Sequence, residues 1–276
     1  MPWQANLSLD YKAEQGRTVL RHQHDGPLRI LKSLYPEGDS ICHNVIVHPP
    51  GGLVGGDVLD IRVRVGEGAH GLISTPGATR FYASDEQWAT QRVRISLEPG
   101  ARLEWLPLEA IAYPGCRAQN DWQANLAEGA ELLAWDVTAL GLPSAGQPFT
   151  RGHFEQQLRI PGLWLEQAQI DANDQCLLNS PLGLGGLRCM GTLLLAAGSE
   201  ITRERREALL GNVREVLLGA PEEVRVAATC PNGRMLVVRA MAPMVEPLMA
   251  CLQLVWRDLR PAAWDIPGQV PRIWCV

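Results

Sequence analysis

Three segments of the chain share one layout: VRVGEGAHGLIST (63–75), ISLEPGARLEWLP (95–107) and ANLAEGAELLAWD (124–136), with QLRIPGLWLEQ (157–167) as a looser relative. Each is an alternating apolar segment, a tight turn carrying glycine, and a second apolar segment. The turn glycines Gly68, Gly100, Gly129 and Gly162 stand 32, 29 and 33 residues apart. Alternation such as Ile61, Val63, Val65 or Val93, Ile95, Leu97 is the period-2 signature of a half-buried strand. Glycine in the turn supplies positive φ without a steric penalty. The pattern reads as β-hairpin-like units of roughly 30 residues. One unit cannot bury its apolar face alone, so neighbours stack. The expectation is a mainly β fold of irregular stacked β-layers, β-helix-like or a multi-layer sandwich. An ordinary β-sandwich, in which hairpins also recur, is the plain alternative.

Helical patterns appear only late, giving two helices near the C-terminus. SEITRERREALLGNVREVLLGAP (199–221) has Ser199 or Thr202 as an N-cap, Leu209, Val213 and Val216 on one face, and Gly219 with Pro221 as a stop. LMACLQLVWRDLRP (248–261) places Leu248, Leu252, Val255 and Leu259 on one face. Strands are expected at 223–229 and 234–241 between them. No polar linker or low-complexity segment divides the chain, so residues 1–276 read as a single domain.

Hydrophobic residues make up 46% and charged residues 20%, enough apolar side chains for a sizeable core. The net charge of −5 argues against nucleic acid, which calls for a basic footprint. No apolar run approaches the ~20 residues of a membrane span, and the N-terminus lacks a signal-peptide layout. A cytoplasmic protein that binds neither membrane nor nucleic acid is the expectation. The seven cysteines are scattered with no CxxC pair, which reads as reduced, largely buried thiols.

HPPGGLVGGD (48–57) crowds Gly51, Gly52, Gly55 and Gly56 into ten residues. A P-loop needs Lys and then Ser or Thr after its glycines, but Asp57 and Val58 follow here. A dinucleotide fingerprint needs a helix next, but DVLDIRVRV alternates as a strand. What remains is a sharp structural loop that permits close approach of another chain segment. Five of the six histidines fall in the first 70 residues: His22, His24, His43, His48 and His70. His43 and His48 are candidate transient metal ligands, since imidazole suits nickel, zinc and copper. No complete ligand spacing is present, and satisfied core or exposed histidines are the plain reading. No GxSxG elbow occurs. Glu104 and Glu109 could serve as an acid–base pair, although a strand-end glutamate paired with an arginine explains such residues more simply. PRIWCV (271–276) reads as a terminal aromatic strand that docks on the fold or on a partner.

HPPGGLVGGD, TPGATRFY, LEWLPLEAIAYPG, LLAWDVTALG, the LVVR of 236–239 and PRIW occur in this order across residues 3–276. Together they resemble the urease accessory protein D family. Leu108 stands where the family usually has Gln, Leu142 where it often has Arg, and Arg80 where Lys is common. The resemblance implies a maturation factor rather than an enzyme. It implies an almost all-β fold with two helices. The partners implied are accessory proteins F and G, the latter a GTPase, and apo-urease. The cargo implied is nickel in transit, with no permanently bound cofactor. An internal water-filled passage is implied as well, whose polar positions map onto Asp57, Thr79, Asp136 and Glu166.

Carboxylates attract a hydrated cation yet hold it less tightly than sets of imidazole and thiolate, so transfer stays reversible. On that reading the glycine loop turns Asp57 toward the passage. The rival is a metal-dependent enzyme with His43 or His48 and Asp57 as ligands. A third reading is an adaptor that only holds urease open. Trp3, Trp264 and Trp274 are candidate partner contacts, with core packing the plain reading for Trp274. The C-terminal helical part is a candidate dock for accessory protein F.

Overall fold

The computed structural model describes residues 2–275. In chain order the strands begin β1 (Gln4–Glu14), β2 (Arg17–Asp25), β3 (Arg29–Ile30), β4 (Ile41–Val47), β5 (Val58–Val65) and β6 (His70–Ser74). They continue β7 (Thr79–Phe81), β8 (Ala89–Leu97), β9 (Arg102–Leu106), β10 (Ala110–Ala112), β11 (Arg117–Leu126) and β12 (Glu131–Leu142). The rest of the chain is β13 (Gln147–Pro148), β14 (His153–Ile160), β15 (Trp164–Asp171), α1 (Gln175–Asn179) and β16 (Cys189–Ala197). Then come α2 (Arg203–Leu217), β17 (Arg225–Asn232), β18 (Met235–Ala242) and α3 (Val245–Trp264). The fold is mainly β, with stacked coils in the manner of a β-solenoid.

The repeated turns are not hairpins. β5, β8 and β11 lie in one sheet of order β15-β14-β11-β8-β5-β1-β2. Their followers β6, β9 and β12 lie in the other, of order β17-β18-β16-β12-β9-β6-β4-β3. Each turn is therefore an arch that carries the chain from one sheet to the facing one. Successive coils then pair in parallel, β5 with β8, β8 with β11, β6 with β9 and β9 with β12.

The reason lies in the residue after each turn glycine. Ala69, Ala101 and Ala130 are fully buried at the corner between the sheets. The small inward methyl lets the chain fold through its side-chain direction instead of back along its hydrogen-bonding edge. Gly68, Gly100 and Gly129 take φ near +65°, the left-handed region that suits glycine. The corners stack on one another: Glu98 N–H donates to Val65 O and Ala127 N–H to Leu97 O, both at 2.9 Å. The fourth unit lacks the alanine, and it alone is a hairpin, with β14 antiparallel to β15 and Ile160 opposite Trp164.

This second sheet, which β7, β10 and β13 extend to 11 strands, is covered on both faces. Leu132 and Ala134 of β12 join the core between the sheets, while Leu133, Trp135 and Val137 face the core under the helices. That accounts for a near-continuous apolar run where a one-sided strand would alternate. α2 begins at Thr202, whose side chain accepts the Arg205 N–H, and buries Leu209 and Val213. α3 buries Leu248, Leu252, Val255 and Leu259, as its period predicts, and runs on through Pro261 to Trp264. The short α1, capped by Asp174, is an addition to the two expected helices.

The chain end corrects another expectation: Arg272–Cys275 is a 3-10 turn, not a strand. Pro271 has no N–H to give a ladder, and its carbonyl instead accepts from Trp274 N at 3.0 Å. Trp274 does dock on the fold, its ring 5.0 Å from Trp135 and 5.1 Å from Trp256. Val276 lies outside the described residues. No helix among them is long and apolar enough to cross a membrane.

Candidate functional site

Between the two sheets, polar side chains interrupt the apolar filling in two facing rows. On the seven-stranded sheet, Gln91 of β8, Asn120 of β11 and Gln156 of β14 sit directly opposite one another in register. On the facing sheet, Asp136 of β12 aligns with Thr192 of β16, which aligns with Arg239 of β18. The rows are hydrogen-bonded into a file. Thr79 Oγ1 donates to Gln91 Oε1 at 3.5 Å, and Gln91 Nε2 donates to Asn120 Oδ1 at 3.2 Å. Asn120 Nδ2 and Gln156 Nε2 then donate to the two oxygens of Asp136 at 3.0 and 2.5 Å. Farther along, Glu166 accepts from Thr192 Oγ1 at 3.1 Å and from Arg239 Nη2 at 2.8 Å.

Burial and the nearby Glu166 charge raise the Asp136 carboxyl to about 7, against the lowering effect of the Asn120 hydrogen bond. Loss of hydration on burial is the main cost of ionisation there, and the Glu166 charge adds to it.

One end of the file opens into a cavity of about 240 Å³ lined by His48, Gly52, Leu53, Thr75, Thr79 and Gln91, among others. His48 Nε2 is buried there without a hydrogen-bond partner among the described residues. Burial holds the His48 imidazole below its usual range, although the Asp57 charge opposes that, so the ring favours its neutral, ligand-competent form. Past Thr79 and Gln91 the space narrows to about 10 Å³ beside Asn120, Trp122 and Asp136. That is close to the room one water needs. Trp122 Nε1 and Thr138 Oγ1 also lack partners among the described residues, which marks positions suited to water.

The structure thus brings Thr79, Asp136 and Glu166 onto one interior path. Asp57 is placed differently. Its Oδ1 accepts the Trp3 N–H at 2.7 Å and its Oδ2 accepts the Val54 N–H at 2.9 Å, so the carboxylate ties the loop that carries it to the N-terminal segment. The glycines serve close packing. A Cβ on Gly52 would lie 2.3 Å from the Tyr82 ring, and one on Gly55 would lie 2.0 Å from Ser84 Oγ. HPPGGLVGGD and TPGATRFY interlock here, with Leu53 N–H donating to Arg80 O at 2.7 Å and Tyr82 N–H to Leu53 O at 2.9 Å.

His43 belongs to a separate buried ionic cluster, its Nε2 2.7 Å from Glu37 Oε1. Arg260 of α3 holds Glu37 through Nη2 at 2.9 Å and Glu104 through Nε at 3.1 Å. His70 and Trp256 complete the contacts of Glu104 at 2.9 and 2.8 Å. Burial would raise Glu37, but hydrogen bonds from His43 and Arg260 outweigh it and hold the carboxyl at about 2. The glutamate paired with an arginine is therefore Glu104, with Arg260, and it stands in the middle of β9 and not at a strand end.

Among the described residues, no group of three or more His, Cys, Asp or Glu is placed to hold a metal ion. Burial pushes the Cys116 and Cys189 thiols up to about 12, so neither offers a thiolate at neutral pH. Of the three candidate contact tryptophans only Trp3 is exposed. Trp264 is buried and donates to Glu131, and Trp274 is partly buried and donates to Ser74.

Comparison with known proteins bears on what such a molecule is for. The profile of the UreD urease accessory protein family matches residues 4–275. The chain belongs to this family. Curated relatives share its whole length. A urease accessory protein UreD of Albidiferax ferrireducens is 57% identical over 276 residues, covering 100% of both chains. One from Variovorax paradoxus is 55% identical over 274 residues, and one from Methylibium petroleiphilum is 44% identical over 294, each covering 99% of both chains.

Sequence reasoning missed Gln91, Asn120, Gln156 and Thr192. A signal for two of them was present. Leu59, Gln91 and Asn120 each stand nine residues before a turn glycine, so the repeat shows polar residues at an inward phase where the first coil has leucine.

Proposed function

We propose that the chain is a non-catalytic urease maturation factor, joining accessory proteins F and G to apo-urease and passing nickel along its interior. Family membership supports the maturation role. The observation that carries the passage is the file Thr79–Gln91–Asn120–Asp136, with Glu166 beyond it, running between the apolar inner faces of the two sheets.

The donor chemistry suits transit. Nickel as cargo meets one neutral imidazole at the cavity, then hydroxyl and amide groups, then two carboxylates. Such oxygen donors bind a divalent cation more weakly than a set of imidazoles and thiolates, so each step is reversible. Four strong ligands in one place would retain the ion. Apolar walls keep water and cation to a single file, while the hydrogen-bonding groups replace part of the hydration shell. The metal-dependent enzyme reading needs His43 or His48 together with Asp57. In the fold His43 serves the Arg260 cluster and both Asp57 oxygens hold backbone N–H groups.

The test is reconstitution. Accessory proteins F and G and apo-urease are combined with and without this chain and separated by size. A large complex that forms only in its presence, and that activates urease when nickel is added, is the expected result. A chain that elutes alone and leaves urease activation unchanged overturns the proposal.

A further inference from the structure

Arg239, the last residue of LVVR, is the cation paired with Glu166 at the outer end of the path. It stands in register with Thr192, and through it with Asp136, on adjacent strands of one sheet. Its side chain is 61% exposed, whereas that of Glu166 is 15% exposed. Its only side-chain hydrogen bond among the described residues is to Glu166 Oε1, at 2.8 Å. Thr192 Oγ1 lies 3.1 Å from both Glu166 oxygens. The outer carboxylate of the path is therefore already occupied, by a guanidinium reaching in from the surface.

An ion pair this exposed contributes little to folding. Its effect on a travelling cation is larger. A divalent ion arriving at Glu166 meets a positive charge within bonding distance of the oxygen it needs, and the two cannot share it without repulsion. Because Arg239 is held by one bond and is otherwise exposed, it can swing outward without disturbing the sheet.

We propose that Arg239 is a built-in cation plug, competing with the cargo for Glu166 and closing the outer end of the interior path until it is drawn away. An acidic side chain on a docking surface completes the exchange, taking the guanidinium as Glu166 receives the metal. The plug rests on the passage reading given above, and its test separates the two.

Equilibrium binding of Ni²⁺ alone is measured on the purified full chain at low ionic strength, for wild type, Arg239→Gln, Arg239→Met, Arg239→Lys and Asp136→Asn. Thermal melting confirms that each variant is folded. Losing the charge in Arg239→Gln and Arg239→Met tightens Ni²⁺ binding about tenfold, and added salt shrinks the difference. Arg239→Lys, which keeps the charge, binds as wild type. Adding Glu166→Gln to Arg239→Gln abolishes the gain, because the vacated ligand is gone. If the Arg239 variants bind as wild type while Asp136→Asn weakens binding, the passage stands and the plug is overturned. If none of the variants, Asp136→Asn included, changes binding, the passage reading falls and the plug with it.

Discussion

Asp136 sits where an ionised carboxylate is costly, between two sheets and close to Glu166. Its pKa is raised from 3.8 to about 7, so the folded chain binds a proton there that the unfolded chain has released. A raised carboxylate therefore destabilises the fold above pH 7 and ceases to do so as pH falls toward 3.8. Asp136→Asn removes the titration. Melting temperature followed from pH 5 to pH 8 is expected to fall in wild type and to stay flatter in the variant. At pH 8 the variant gains about 1–3 kcal/mol, since each tenfold change in proton affinity is worth roughly 1.4 kcal/mol. At the other end of the cavity, Gly52→Ala drives a methyl into the Tyr82 ring and is expected to cost about 1–3 kcal/mol in denaturant unfolding. At this scale the sequence was legible in part. Thr79, Asp136 and Glu166 follow from a resemblance, and in the fold Thr79 and Asp136 lie on one hydrogen-bonded file with Glu166 farther along. Asp57 does not join them, because its two oxygens are taken by the Val54 N–H of its own loop and the Trp3 N–H of the N-terminal segment. The amides Gln91, Asn120 and Gln156 stayed hidden because they come from strands far apart in sequence that only the coil register brings together.

Among the elements, α3 depends most on electrostatics. Arg260 is fully buried and joins Glu37 and Glu104 across the boundary between helix and sheet. Arg260→Gln leaves two buried carboxylates without their cation and is expected to destabilise by about 3–5 kcal/mol, read as a shift in the urea midpoint. The pH dependence has the opposite sign to that of Asp136. Glu37 is depressed from 4.5 to about 2, so its contribution is present above pH 4.5 and is lost as pH falls through 2. Near-UV circular dichroism of the tryptophans around α3 should report that loss within this window, ahead of the strand signal. Both long helices were legible, since their apolar period and the Thr202 cap act locally. The arches were not. A strand, a turn with glycine and a second strand describe a hairpin and an arch equally well, and the difference rests on the buried corner alanines Ala69, Ala101 and Ala130. The five-residue α1 escaped notice because it is too short to show a period.

Across the whole molecule, stacking coils places the same inward position of each repeat in a row. Filled with leucine or alanine, such a row is core. Filled with Gln91, Asn120 and Gln156 opposite Asp136, it becomes a polar line through that core, from the His48 cavity toward Arg239. The mainly β, stacked architecture was legible from the repeat alone, while the line needed three dimensions. The central claim is that cargo follows it. The most direct measurement is the rate of urease activation by nickel in the reconstituted complex, using a chain with Asn120→Leu and Gln156→Leu. These substitutions keep the row filled but make its wall apolar, and both residues are buried. The account predicts an intact complex by size exclusion and an activation rate reduced at least about tenfold, because a cation would have to cross a wall that offers no ligands. An intact complex that activates urease at the wild-type rate would contradict it.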